Sequence, residues 1–223
     1  MTNTTRPWVI GITGASGICY ARGVVQALIN NVPDVELDIV VSESALRVMQ
    51  EEEGLKVSIG RLRLQDLVGE EVVLSSSQRV TFHSNKNIAS SIASGSYLTA
   101  GMVIVPCSMK TLAAVANGYC ENLIQRAADV ILKEKRRLVI VPRETPLSVI
   151  HLENMLKLAK LDVRIVAAMP GFYQMPKSIQ DLVDSFVMRV LDQMGFEINL
   201  AKRWKTPETE QLSALNIVQY GKQ

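Results

Sequence analysis

Five short runs rich in β-branched and other apolar residues recur along this chain: Trp8–Thr13, Leu37–Val41, Met102–Pro106, Arg137–Val141 and Val163–Ala168. Each is nearly continuous rather than alternating, which marks strands covered on both faces. Between them, Ile18–Asn30, Ser44–Glu53, Lys110–Asn117, Asn122–Lys135, Ser148–Leu161 and Ser178–Met194 space their apolar residues as helices do. Strands alternating with helices point to right-handed βαβ crossovers. The expected fold class is therefore α/β, a Rossmann-like, doubly wound, mainly parallel sheet in three α/β/α layers. The stretch Gly54–Gly101 is less regular, with a weak strand at Val72–Leu74 and a Ser-rich end, Ala93-Ser94-Gly95-Ser96.

Length and composition narrow the function. At 223 residues, with no Pro/Gly/Ser linker and no internal repeat, the chain reads as one domain over 1–223, with 196–223 as a C-terminal extension. Lys and Arg number 24 against 22 acidic residues, so the surplus of cations that a nucleic-acid binder needs is missing. No apolar run reaches the roughly 18 residues of a membrane span. The uncharged start from Pro7 to Ala21 is interrupted by Gly11, Gly14 and Gly17, which suits a strand and turn better than a signal segment. The three cysteines, Cys19, Cys107 and Cys120, form no CxxC pair, and there are two histidines, His83 and His151. Neither a zinc site nor a disulfide framework is indicated, and a reduced, cytoplasmic setting fits best.

In open parallel sheets, ligands bind beyond the carboxyl ends of the strands. Following each strand in turn gives Thr13-Gly14-Ala15-Ser16-Gly17, then Ser42-Glu43, Cys107-Ser108-Met109-Lys110-Thr111, Arg143-Glu144-Thr145, and Pro170-Gly171-Phe172-Tyr173. The first of these suits a phosphate, because glycines admit close backbone approach and helix-start N–H groups face an anion. Its spacing is neither G-x-G-x-x-G nor a Walker A, and it reads equally as a tight strand–helix connection. Ser108 has the same double reading: a helix cap, or, beside the first turn, half of a cradle for a phosphorylated cofactor. A nicotinamide site would place an acid where Ser42 stands.

Several charged groups carry bland readings as well. Arg126 and Lys133 share a helix face two turns apart, with cations gathered near a helix C-terminus. Arg189 reads as a rim residue, Tyr173 as a packing residue with a wet hydroxyl, Glu52 as part of a charged helix end, and His151 as packing beside Glu153.

Together, however, TGASG, PCSMKTLAAVANG, NLIQRAADVILKEKRRLVIVPRETP, HLENMLKL and PGFYQMP, in this order, closely resemble the UbiX-type flavin prenyltransferases from about Val9 to Trp204. The resemblance implies an FMN-binding enzyme that attaches a dimethylallyl group, from dimethylallyl phosphate and without a metal, to N5 and C6 of reduced FMN. The prenylated FMN would serve UbiD-type decarboxylases, in ubiquinone synthesis or aromatic-acid decarboxylation. By motif position it places FMN at Gly14, Ala15, Ser16, Ser42, Ser108, Met109, Lys110, Thr111 and Arg143. The prenyl phosphate falls to Lys133, Tyr173 and Arg189, with Ser94, Gly95, Arg126 and Arg143 nearby. Glu52 and Glu144 match acidic residues at the reacting centre, so that Glu52, Lys133, Glu144 and Tyr173 form the catalytic set. It also implies a homododecamer in which neighbouring subunits complete each site. One departure is Ile88, where many relatives have Trp; Trp204 matches the C-terminal aromatic.

The chemistry agrees with this set. Without a DDxxD-like run, a leaving phosphate has to be neutralised by Lys and Arg directly, and an allylic cation by electron-rich π-faces. Glu144 or Glu52 would move protons. The rival readings are an FMN-dependent cysteine decarboxylase of the same fold, which would normally bring a catalytic His and a PxMNxxMW-type motif, a nicotinamide oxidoreductase, and a non-catalytic flavin carrier.

Overall fold

A computed structural model describes residues 6–55 and 60–204. Six strands, β1 (Trp8–Ile12), β2 (Glu36–Val41), β3 (Arg79–Ser84), β4 (Gly101–Cys107), β5 (Arg137–Pro142) and β6 (Arg164–Ile165), form one sheet in the order β3-β2-β1-β4-β5-β6. Every neighbouring pair is parallel. Seven helices connect or flank them: α1 (Ile18–Asn31), α2 (Glu43–Glu53), α3 (Leu64–Val68), α4 (Met109–Ala116), α5 (Leu123–Lys133), α6 (Val149–Ala159) and α7 (Ile179–Met194). This is the expected doubly wound sheet.

Both faces are buried by side chains of alternating parity. Ile10, Ile12, Leu37, Ile39, Val103, Val105, Val139 and Val141 pack with α1 and α7. Val9, Val40, Met102, Ile104, Leu138 and Ile140 point the other way, onto α4, α5 and the end of α6. Each fully buried side chain of this kind contributes about 1.5–3 kcal/mol of apolar burial, so the continuous runs are explained by a two-faced core.

The irregular stretch departs from expectation. Val72–Leu74 forms no strand: Val72 is buried, Val73 lies 78% exposed, and the segment joins no ladder among the described residues. The sixth strand is instead β3, at the sheet edge. The short helix α3, at whose start Arg63 N donates to the Asp66 carboxylate at 2.8 Å, departs from the sequence expectation. The last strand is shorter than Val163–Ala168, although backbone bonds from Val166 N to Ile140 O and from Ala168 N to Pro142 O carry the chain on to the carboxyl edge. Residues 205–223, most of the expected C-terminal extension, lie outside the described residues.

Candidate functional site

The strand order reverses between β1 and β4, and there two turns are stapled together. Thr13, just past β1 and 2% exposed, donates its hydroxyl to Pro106 O at 2.9 Å and accepts from Ser108 N at 2.8 Å. The β1–α1 and β4–α4 turns are thereby held in one relation. On either side stand two helix caps: Ser42 Oγ accepts from Ala45 N, and Ser108 Oγ from Thr111 N. Both caps line a cavity of about 590 Å³ together with Thr13, Lys110, Thr111 and His83. That volume lies within the roughly 300–1,000 Å³ of cofactor pockets. Across its mouth Glu43 pairs with Lys86 at 2.7 Å, and the lysine holds the Glu43 carboxyl below its usual range. Met109, expected on the FMN side, lines neither this cavity nor the depression beside it; its side chain is buried in the core against α4 and α5.

A second depression of about 390 Å³ shares Ser108 and is lined by Gly14, Ala15, Ser16, Glu52, Arg143 and Glu144. Here the expectation for the first turn changes. The start of α1 has a left-handed Gly17 (φ 104) and no side-chain cap of its own. Instead the Glu52 carboxylate, from the end of α2, accepts from Gly17 N and Ile18 N at 3.1 Å each. The anion facing this helix start is a carboxylate of the chain itself, and the dipole there favours it. Arg143 donates Nε to Ser16 O at 3.3 Å, which ties the β5 end to the first turn. Glu144 is exposed and accepts from its neighbour Thr145 N.

The remaining candidates gather elsewhere. Helix α5 starts at Asn122, on the cavity, and runs antiparallel to the strands; its 11 residues span about 16 Å. Lys133, at its far end, therefore stands at the opposite edge of the sheet. There its amine binds Glu134 Oε1 at 2.6 Å, beside Gly95. Arg126 donates to Ala93 O and to Asp129. Tyr173 follows β6, three strand spacings or about 14 Å from β1, and its ring meets that of Trp204 edge-on at 5.3 Å. Arg189 and Arg203 share Asp192. Ser94-Gly95, Arg126 and Lys133 thus form one group and Tyr173 with Trp204 another, while Arg189 sits apart with Asp192 and Arg203. Within a single chain, Lys133 stands at the sheet edge opposite the one that carries Lys110 and Arg143. His151, expected to pack by Glu153, instead accepts from Ser148 N and closes a capping box. Among the described residues, no cluster of three or more His, Cys, Asp or Glu is placed to hold a metal ion.

A model of the Flavoprotein family matches residues 1–191. A flavin prenyltransferase UbiX of Halalkalibacterium halodurans is 48% identical over 197 residues, covering 88% of this chain and 92% of that one. The chain belongs to the UbiX-type flavin prenyltransferases. Among solved structures of UbiX-type proteins, AnUbiX (PadA1) in complex with FMN and dimethylallyl pyrophosphate has a TM-score of 0.79 at 38% identity, covering 91% and 98% of the two chains. A dodecameric FMN-dependent UbiX-like decarboxylase from Escherichia coli O157:H7 has a TM-score of 0.78 at 42% identity, covering 90% and 100%.

Thr13 and Glu43 lie in strand-end segments that the sequence marks without giving them a site role of their own, whereas Phe82, His83 and Lys86 on the cavity wall lie outside those segments. The alternation Val80-Thr81-Phe82-His83 was the available signal for β3, and with β3 recognised, its carboxyl end Ser84–Asn85 would have joined the other strand ends.

Proposed function

We propose that this chain is a metal-independent flavin prenyltransferase, transferring a dimethylallyl group from dimethylallyl phosphate to N5 and C6 of reduced FMN. The observation that carries the reading is a cofactor-sized cavity between two serine-capped helices at the sheet's switch point, in a chain of this family. The reaction is redox-neutral. The allylic C–O bond breaks as the C–N bond to N5 forms and the N5 proton leaves with the phosphate; the double bond then takes up a proton at one carbon while the other bonds to C6, which releases its own proton. The electron-rich reduced flavin supplies the nucleophile.

In this reading Ser42, Ser108 and Thr111 hold the FMN phosphate, and Gly14, Ala15, Ser16 and Arg143 border the flavin from the adjoining depression. Lys133 orients and neutralises the leaving phosphate, with Arg126, Arg189, Tyr173 and the Ser94-Gly95 turn around it. Glu144, open to the depression, handles the proton, while Glu52 is committed to the start of α1. Because Lys133 stands at the sheet edge opposite the cavity within one chain, neighbouring copies complete each site in this reading, in a homododecamer. The chain acts as one flavin-binding domain in the cytoplasm, and prenylated FMN passes to a UbiD-type decarboxylase.

Anaerobic incubation with reduced FMN and dimethylallyl phosphate, followed by mass spectrometry of the extracted flavin, tests this. The expected product carries one added isoprenyl unit. Lys133→Ala and Glu144→Gln should bind FMN yet lose most turnover; wild-type turnover in both would show that these roles are misassigned.

A further inference from the structure

On the sheet face beneath α4, α5 and α6, the buried strand side chains are apolar except for one. Asp38 stands in β2 opposite Val9 and Thr81, 3% exposed, on the face it shares with Val40. A buried carboxylate is costly unless it is paired and hydrogen-bonded. This one is doubly partnered: His83 Nε2 lies 2.7 Å from Oδ1, and Tyr97 donates its hydroxyl to Oδ2 at 3.0 Å. Burial, and then the bond to Asp38, push the Tyr97 phenol up, so it remains a donor. The other ring nitrogen of His83, Nδ1, lies 2.7 Å from Ser90 Oγ. With Nε2–H donated to the carboxylate, Nδ1 accepts from the serine hydroxyl.

The order Ser90–His83–Asp38 has the look of a nucleophilic relay, but its placement argues otherwise. Ser90 lines neither cavity, so its hydroxyl faces no space in which either of them could hold a substrate. Both outer members, Ser90 and Tyr97, instead lie in the crossover from β3 to β4, residues 85–100. Its only helical structure is a single 3-10 turn at Ser91–Ala93. From the α5 side it is gripped by Arg126 Nε on Ala93 O at 3.2 Å, and by Arg136 on Gly95 O at 2.6 Å and Tyr97 O at 2.8 Å. From the sheet side it is gripped by the Tyr97–Asp38–His83–Ser90 chain. Between the two grips sits Ser94-Gly95, where a Cβ on Gly95 would run into the Glu134 carboxylate and stand 2.9 Å from Lys133 Nζ.

We propose that Ser90 and Tyr97 are positioning residues for the prenyl phosphate: through His83 and Asp38 they fix the crossover so that Ser94-Gly95 stands against the Lys133 amine. The inference rests on the reading that Ser94, Gly95 and Lys133 receive that phosphate.

The test compares FMN-loaded wild type with Ser90→Ala, Tyr97→Phe and Ser90→Thr. Four quantities are read: FMN affinity, KM for dimethylallyl phosphate, kcat, and amide hydrogen exchange over 85–100. Ser90→Ala and Tyr97→Phe should each raise KM about five- to tenfold, the scale of one lost hydrogen bond, with kcat and FMN affinity held within about twofold. Exchange over 85–100 should quicken while α1 stays protected, and Ser90→Thr should restore both readouts. An unchanged KM despite faster exchange, or an equal loss of FMN affinity, would overturn the positioning role. Unchanged exchange would overturn the tether whether or not the protein turns over. A wild type that binds FMN but never adds an isoprenyl unit would overturn the functional reading instead.

Discussion

Thr13 shows how much one hydroxyl can organise. Its two bonds, to Pro106 O and from Ser108 N, join turns 95 residues apart in the chain. Thr13→Val keeps the shape but leaves the Ser108 amide without its acceptor, at a cost of roughly 1–3 kcal/mol. A melting temperature lower by several degrees and weaker FMN binding are expected, measured by thermal melts with and without FMN. The cysteines make the opposite kind of residue-scale statement. Cys107 is fully buried and burial pushes its thiol well up; Cys19 is raised by burial and then by the Glu52 charge. An exposed thiol ionises near about 8.5, so between pH 7 and 9 both should remain thiols in the folded protein. Iodoacetamide should then label them far more slowly than it does in urea; equal rates would contradict the placement of both.

At the scale of elements, the strand–turn–helix connections were readable because each couples a strong local pattern to a topological rule. Continuous apolar runs gave the four inner strands, and the rule that ligands sit beyond strand ends then picked out Ser42, Ser108 and Arg143. What escaped was the edge. β3 is half-exposed, so Val80 and Phe82 face the core while Thr81 and His83 face the other way, and the diluted signal passed to the three apolar residues at Val72–Leu74. Pairings such as Asp38 with His83, 45 residues apart, have no local signature at all. The direction of α5, by contrast, could have been used: a crossover helix returns to the amino edge, which carries Lys133 away from the cavity. The Ser94-Gly95 turn provides a prediction at this scale. Gly95→Ala should displace Lys133 and Glu134, leaving FMN affinity intact and raising KM for dimethylallyl phosphate severalfold, as steady-state kinetics would show.

For the whole molecule, the telling feature is apolar surface left uncovered. Along α6, Val149, Leu152 and Leu156 form an i, i+3, i+7 stripe and are all exposed, as is the adjacent Ile150, while Leu158 is the helix's fully buried side chain. In the proposed assembly this stripe is the apolar face that a neighbouring copy would cover. Leu152→Glu combined with Leu156→Glu should therefore leave a folded chain that light scattering reports as smaller than wild type, with prenylation lost. An unchanged mass would place the assembly contacts elsewhere. On the proposed reading, Lys133 and the Ser94-Gly95 turn, at the sheet edge opposite the cavity, serve the site of another copy, so that each copy supplies a different part.

Subunit complementation tests that claim most directly. Lys133→Ala and Arg143→Ala chains, each inactive when assembled alone, are co-assembled and given reduced FMN and dimethylallyl phosphate. If the cavity of one copy is served by Lys133 of another, the mixed assemblies will contain intact sites, and mass spectrometry will find flavin bearing one isoprenyl unit. Mixed assemblies as silent as either parent would contradict the account.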